Sequence, residues 1–228
     1  MELKRRDGAI ETVTEIVVSP EHPAEIRRLT FANHGERPLE LDVTTYTEPV
    51  LAPRNADVAH RAFSSMFLEA ELIPERGAIL LRRRPRSAHE AETWLLQVLT
   101  PEGDGFGPAE LDASRAEFLG RGGSLQAPRA LRFGHALSGT GGNVLDPGLA
   151  LRRAVKLDPG ARARVTLTTA LAASREAAME LLDLVVTPHS TARAFELAWA
   201  DARVELKHLG ITAARSHRFQ RLLSCLLA

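Results

Sequence analysis

Histidines, cysteines and paired carboxylates hold metals, attack carbonyls or move protons, and their spacing decides whether they can act together. The histidines at positions 22, 34, 60, 89, 135, 189, 208 and 217 form no HExxH and no pair at metal-ligand spacing backed by a carboxylate. No metal site is expected. The single cysteine, Cys225, has no partner for an internal disulfide. Its place on an apolar helical stripe predicts a small buried thiol. No G-x-S-x-G marks a serine nucleophile. The glycine clusters at 120–123 and 139–143 spell neither phosphate-binding pattern, and the second runs into Val144-Leu145-Asp146-Pro147-Gly148 rather than a helix that could hold an anion. Carboxylate pairs such as Glu69 with Glu71, or Glu15 with Glu48, occur in any chain with 29 acidic residues and assign no acid/base role. No catalytic residue and no cofactor is therefore expected.

Sugar recognition asks for something else: aromatic rings that stack on a pyranose, with Arg, Asp, Asn or His bonding its hydroxyls. Aromatics make up 5% of the chain. Tyr46, Trp94 and Trp199 are the large ones, and each sits in a pattern that also reads as core. The 29 basic residues equal the 29 acidic ones, so no global field draws the chain to a polyanion. The run Arg82-Arg83-Arg84-Pro85-Arg86 is followed by Glu90 and Glu92 and lacks interleaved aromatics, which predicts a solvated strand end rather than a nucleic-acid stripe. No window approaches the roughly 18 apolar residues of a membrane span, and one cysteine suits a reducing, cytoplasmic compartment.

The elements that must position these groups are mostly strands. At 228 residues and 44% hydrophobic, the chain is long enough to bury a core. Ala9 to Ser19 is rich in β-branched residues and closes at Pro20; Pro23 to Asn33 follows, then an Asn33-His34-Gly35-Glu36 turn, and a hairpin partner in which Leu39, Leu41, Val43, Thr45 and Thr47 alternate with polar residues. Further strands are predicted at Phe63 to Ile73, Ala78 to Arg84, Thr93 to Thr100, Arg115 to Leu119, Leu149 to Leu157 and Ala163 to Leu171, the last two joined by Asp158-Pro159-Gly160. Many short strands without helical crossovers predict an antiparallel sandwich.

The character changes at Ser174, beyond which Ala, Leu, Glu and Arg dominate. Ser174 caps a helix carrying Ala178, Leu181, Leu182 and Val185, ended by Thr187-Pro188. A second helix is predicted from about Thr191 to Leu209, its stripe of Phe195, Trp199, Ala202, Leu206 and Leu209 covering the sheet, with Gly210 as its stop. Thr212 caps a third, with Phe219, Leu222, Leu223, Leu226 and Leu227 on one side. That stripe predicts association, or a chain that is part of something larger.

Particular segments resemble a known family. Thr14–Pro20 (TEIVVSP), Ala24–Thr30 (AEIRRLT) with Asn33-His34, and Arg37–Tyr46 (RPLELDVTTY) look like the N-terminal β-sandwich of the phosphorylase-like region of bacterial cyclic β-1,2-glucan synthases. The likeness continues in order through His60–Phe67 (HRAFSSMF), Phe118–Leu125 (FLGRGGSL), Leu137–Pro147 (LSGTGGNVLDP), Phe195–Trp199 (FELAW) and Glu205–Ile211 (ELKHLGI). Arg61 stands where the family often has proline, and Gly123 where it often has a polar residue.

The resemblance implies glycoside hydrolase family 94 (glycosyltransferase 36-like) architecture: a galactose mutarotase-like supersandwich at 1–173, linker helices at 174–228, then an (α/α)6 barrel that carries the catalytic acid and binds phosphate. It further implies a non-catalytic module that helps shape a sugar cleft, with β-glucan as the carbohydrate. The C-terminal helices would dock on the barrel or on a homodimer partner. The setting would be cytoplasmic, at the inner membrane within a larger membrane protein. The residues implied to meet sugar are His60 and Phe63, in the 60–67 block, and Arg121. The other reading puts Phe63 and Phe67 in the core and pairs Arg121 locally. A scaffold or oligomerisation domain without sugar affinity is the alternative to a sugar-facing module. A free-standing enzyme would need an acid and a base in one closed pocket, for which the sequence gives no signal.

Overall fold

The computed structural model describes residues 1–87 and 90–227, without the side chains of Ser224 and Leu227; His89 lies outside the described residues. Among the described residues, ten strands form two antiparallel sheets. Strands β1 (Glu2–Asp7), β2 (Ile10–Val18), β3 (Ala24–Asn33), β10 (Arg162–Ala172), β7 (Thr93–Glu102), β6 (Ala78–Arg83) and β5 (Leu68–Ile73) make the larger sheet in that spatial order; β4 (Leu39–Thr47), β9 (Pro147–Leu157) and β8 (Phe106–Ser114) make the smaller. Helices α1 (Arg54–Ser65), α2 (Arg115–Leu119), α3 (Arg175–Val185), α4 (Pro188–His208) and α5 (Ala213–Leu227) complete the chain. The fold is mainly β, an antiparallel sandwich followed by C-terminal helices.

Period-two patterning sets the main core. Leu39, Leu41 and Val43 of β4 and Leu149, Leu151, Val155 and Leu157 of β9 face Leu81, Leu95, Leu99, Val165 and Leu167 of the larger sheet. The back of the larger sheet is covered by α3. The Ser174 hydroxyl accepts from the Ala177 N–H at 3.1 Å and starts that helix, and Ala178, Leu182 and Val185 pack on Ala78, Leu80, Leu96, Val98 and Ala170. A third, smaller core lies on the outside of the smaller sheet. There Tyr46, Phe118, Leu119, Ala130 and Ala150 pack together under the long segment 120–146.

Several expectations need correction. β4 is not the hairpin partner of β3: it crosses to the other sheet and pairs with β9 from Leu39↔Leu157 to Thr47↔Leu149. Asn33 sets the crossing, its buried amide donating to the carbonyls of Arg37 (2.8 Å) and Leu157 (3.1 Å). The strand predicted from Phe63 begins only at Leu68, because Arg54–Ser65 is helical, broken at His60 (φ −154°, ψ 74°). Arg115–Leu119 is also a helix. Ser114 and Glu117 supply a capping-box signature, the Ser114 hydroxyl accepting from the Glu117 N–H at 3.3 Å. Pro188 opens α4 rather than merely ending α3, since a first-turn proline has no N–H to waste, and Thr187 caps it.

The stripe on α4 covers less sheet than predicted. A 21-residue helix is about 31 Å long; it contacts β2, with Phe195, Trp199 and Ala202 beside Ile16 and Val17, yet Trp199 stays 63% exposed and Leu209 is exposed too. On α5, Phe219, Leu222, Leu223 and Leu226 are exposed, and Cys225 is exposed rather than buried. Nor is the arginine run simply a solvated end. Arg83 is buried against the Ser64 carbonyl and Glu90, while Arg82, Arg84 and Arg86 bond Glu69, the Met66 carbonyl and Glu90. No helix among the described residues is long and apolar enough to cross a membrane.

Candidate functional site

Where β4 ends, the chain places Glu48 at the meeting point of three elements. The Tyr46 hydroxyl donates to Glu48 Oε1 at 3.0 Å, Arg115 Nε at the start of α2 donates to the same oxygen at 2.8 Å, and Arg61 from α1 reaches Oε2 at 2.6 Å. Arg115 also bonds Asp146 at 3.2 Å, so the end of segment 120–146 joins the cluster. Tyr46 is fixed from behind by stacking on Phe118, with ring centres 4.2 Å apart. Arg61 ties α1 to this end.

Beside the cluster is an open cavity of 490 Å³, lined by Arg115, Glu117, Arg121, Arg129, Asp146 and the glycines of 120–123. Arg129 is paired with Glu117, and Arg115 with Glu48 and Asp146. Arg121 is exposed and makes no ion pair or hydrogen bond among the described residues, so its charge alone is left over there. Backbone geometry shapes the rim. Gly122 has φ +69°, and a Cβ on Gly123 would lie 2.0 Å from the Leu119 carbonyl oxygen, so no residue with a side chain fits this turn as it stands.

His60 and Phe63 are both on α1, His60 at its break and Phe63 half-exposed and edge-to-face with Phe67 at 5.2 Å. Neither lines the cavity, which holds Arg121 alone of the three predicted residues. Sequence reading did not find Arg115, Asp146 or Arg129, and it offered Glu48 only as a partner for Glu15. In the structure Glu15 is bonded to Arg28 on the β2–β3 pair, away from Glu48. Among the described residues, no cluster of three or more His, Cys, Asp or Glu could hold a metal. The cluster sets guanidinium and phenol donors against carboxylate acceptors, groups of the kind that can bond hydroxyls.

The sequence profile of the glycosyl hydrolase 94 supersandwich domain matches residues 1–188. The chain belongs to that family. The supersandwich match thus takes in all ten strands and α3, and stops where α4 begins. The chain is 33% identical over 215 residues to the cyclic β-(1,2)-glucan synthase NdvB of Rhizobium meliloti (strain 1021), an alignment covering 94% of this chain and 8% of that protein. Among solved structures, Polysaccharide Lyase BACCELL_00875 superposes with a TM-score of 0.47 at 14% identity, over 80% of this chain and 23% of that one.

The supersandwich's Glu48 cluster has a consequence for pH. Burial alone would push the Glu48 carboxyl up, but the hydrogen bonds from Arg115, Arg61 and Tyr46 outweigh it and hold the carboxyl below its ordinary 4.5. The same surroundings, burial first and then Glu48, push the Tyr46 phenol up. A folded-state pKa below the unfolded value contributes stability that is present above about pH 4.5 and is lost as pH falls through the folded value. Glu48→Gln is therefore expected to lower the melting temperature at pH 7 and to flatten its decline below pH 4.5. Thermal melts from pH 7 to pH 3 check this, and parallel curves for the two proteins would refute it.

Proposed function

We propose that this chain is a non-catalytic module of a β-glucan-processing enzyme, seated against a catalytic domain whose sugar cleft its Glu48 end helps to shape. The observation that carries the reading is Arg121, an unpaired guanidinium on the rim of a polar cavity whose other charges are matched. Arginine forks suit sugar hydroxyls, and a close-packed glycine turn lets backbone and ligand approach. Membership of the supersandwich family and similarity to a cyclic β-(1,2)-glucan synthase support the choice of glucan. His60 and Phe63, on the helix that Arg61 ties to Glu48, are proposed to flank the same cleft. The segment from 174 onward is the proposed connector, with α3 anchored on the back of the larger sheet and α4 in contact with β2. A cytoplasmic setting within a larger membrane protein accords with the single, exposed thiol.

Isothermal titration of the chain with linear and cyclic β-1,2-glucans tests the reading. Saturable heat is expected, and Arg121→Ala should weaken binding about tenfold, the size of one lost charge-assisted hydrogen bond. A heat-free titration by a folded chain would refute it. The second reading, a scaffold or oligomerisation domain without sugar affinity, is favoured by the exposed Trp199, Phe219, Leu222 and Leu226 of α4 and α5. A dimer in sedimentation velocity that Leu222→Glu abolishes, together with no glucan heat, would select it.

A further inference from the structure

The back of the larger sheet carries a second polar cavity, separate from the Glu48 end. Register places Glu69, Arg82 and Trp94 on one rung across β5, β6 and β7, and directly paired residues point to the same side of a sheet. Glu71, two residues along β5, shares that side. The first residue of α3, Arg175, reaches across to Glu71 with two bonds of 2.9 and 2.6 Å. The space between is 410 Å³, lined by these five side chains and Ala70, within the roughly 300–1,000 Å³ usual for small-ligand sites.

Trp94 sets this cavity apart from an ordinary patch of ion pairs. It is 6% exposed, and its buried indole Nε1–H has no acceptor among the described residues. Buried donors are almost always satisfied, so an orphan one calls for a ligand atom that accepts. The Arg82 guanidinium lies over the indole at 5.8 Å, held by Glu69 at 2.9 Å and Glu92 at 3.4 Å, and is about one-third exposed. Charge defines the ligand class. The two arginines of the lining are matched by Glu69 and Glu71, with Glu92 also paired to Arg82, so no excess positive charge draws an anion, while the alternation of donors and acceptors suits a neutral molecule dense in hydroxyls. An indole beneath such groups matches the apolar face of a pyranose.

We propose that this cavity is a saccharide-binding site centred on Trp94, independent of the Glu48 end. A sugar oxygen accepts from the Trp94 N–H once Arg82 moves aside, and Glu69 and Glu71 accept sugar hydroxyls. The chain has two tryptophans, so Trp199→Phe, at an exposed position, leaves one indole N–H resonance, that of Trp94. Titrating that protein, ¹⁵N-labelled, with the β-1,2-linked glucose disaccharide should move the resonance downfield and saturate at millimolar concentration. Adding Glu69→Gln or Glu71→Gln should weaken the response at least fivefold with the spectrum otherwise preserved. A resonance that stays still, one that moves equally in the glutamine variants, or one that responds to sodium sulfate instead would overturn the proposal. Amide signals from Gly122 and Gly123 report the other cavity in the same spectra, so either site can fail without the other.

Discussion

Replacing Arg152 with methionine is expected to cost the domain about 3 kcal/mol, because it removes one member of a buried charged network and leaves its acceptors without donors. Arg152 points outward from β9 yet is almost wholly buried. Its guanidinium donates to the carbonyls of Ala130 and His135 and to the Thr44 hydroxyl, and it lies 3.5 Å from Glu110. Those contacts fasten the middle of segment 120–146 to the smaller sheet. Glu110 and Asp112 hold the following stretch through Leu137 and Ser138, and Gly142 pairs with Ala70 at the edge of β5. For a domain of this size the loss corresponds to a melting temperature lower by about 6–12 °C. Trypsin should then cut faster at Arg121, Arg129 and Arg132 than in the unaltered chain. Unchanged proteolysis would mean that the segment is held by other contacts.

Leu182→Ala should cost about as much, roughly 3–4 kcal/mol, for a different reason. Leu182 is fully buried at the centre of the seam between α3 and the larger sheet, among Leu80, Leu96, Val98 and Ala170, and its truncation opens a cavity there. If α3 is a layer of the sandwich, the whole domain melts earlier in one transition, by about 6–16 °C. Leu226→Ala on the exposed α5 should change stability by less than about 0.5 kcal/mol. Circular dichroism followed at helix-sensitive and strand-sensitive wavelengths distinguishes the cases. Early loss of helix with the strands intact would show that α3 folds apart from the sandwich.

What could be read from the sequence was local. The alternation of Leu39, Leu41 and Val43, the Asp158-Pro159-Gly160 turn and the Ser174 cap each carry their signal within a few residues, and the structure has them where they were expected. β1 escaped notice because its six residues, Glu2–Asp7, are exposed and mostly charged, with no apolar period. β8 escaped because its register slips twice, between Phe106 and Ala109 and between Asp112 and Ser114, which breaks a period of two. The stripe on α4 could announce an apolar face but not how far the sheet beneath it extends. The Glu48 cluster was hidden for the same reason: its arginines are 13 and 67 residues away in sequence. A glutamate just past an alternating strand and just before Pro49 was the one available sign. Arg121 was singled out through a resemblance, as a residue to meet sugar, and it lines the cavity.

The most direct test of the central claim is a ¹⁵N–¹H titration of the whole chain with a short linear β-1,2-gluco-oligosaccharide, followed residue by residue. If the Glu48 end faces sugar, the amides of Gly120 to Gly123 and the Arg121 side-chain N–H shift and saturate together. If those signals stay fixed at saturating sugar while the protein remains folded, the claim is wrong.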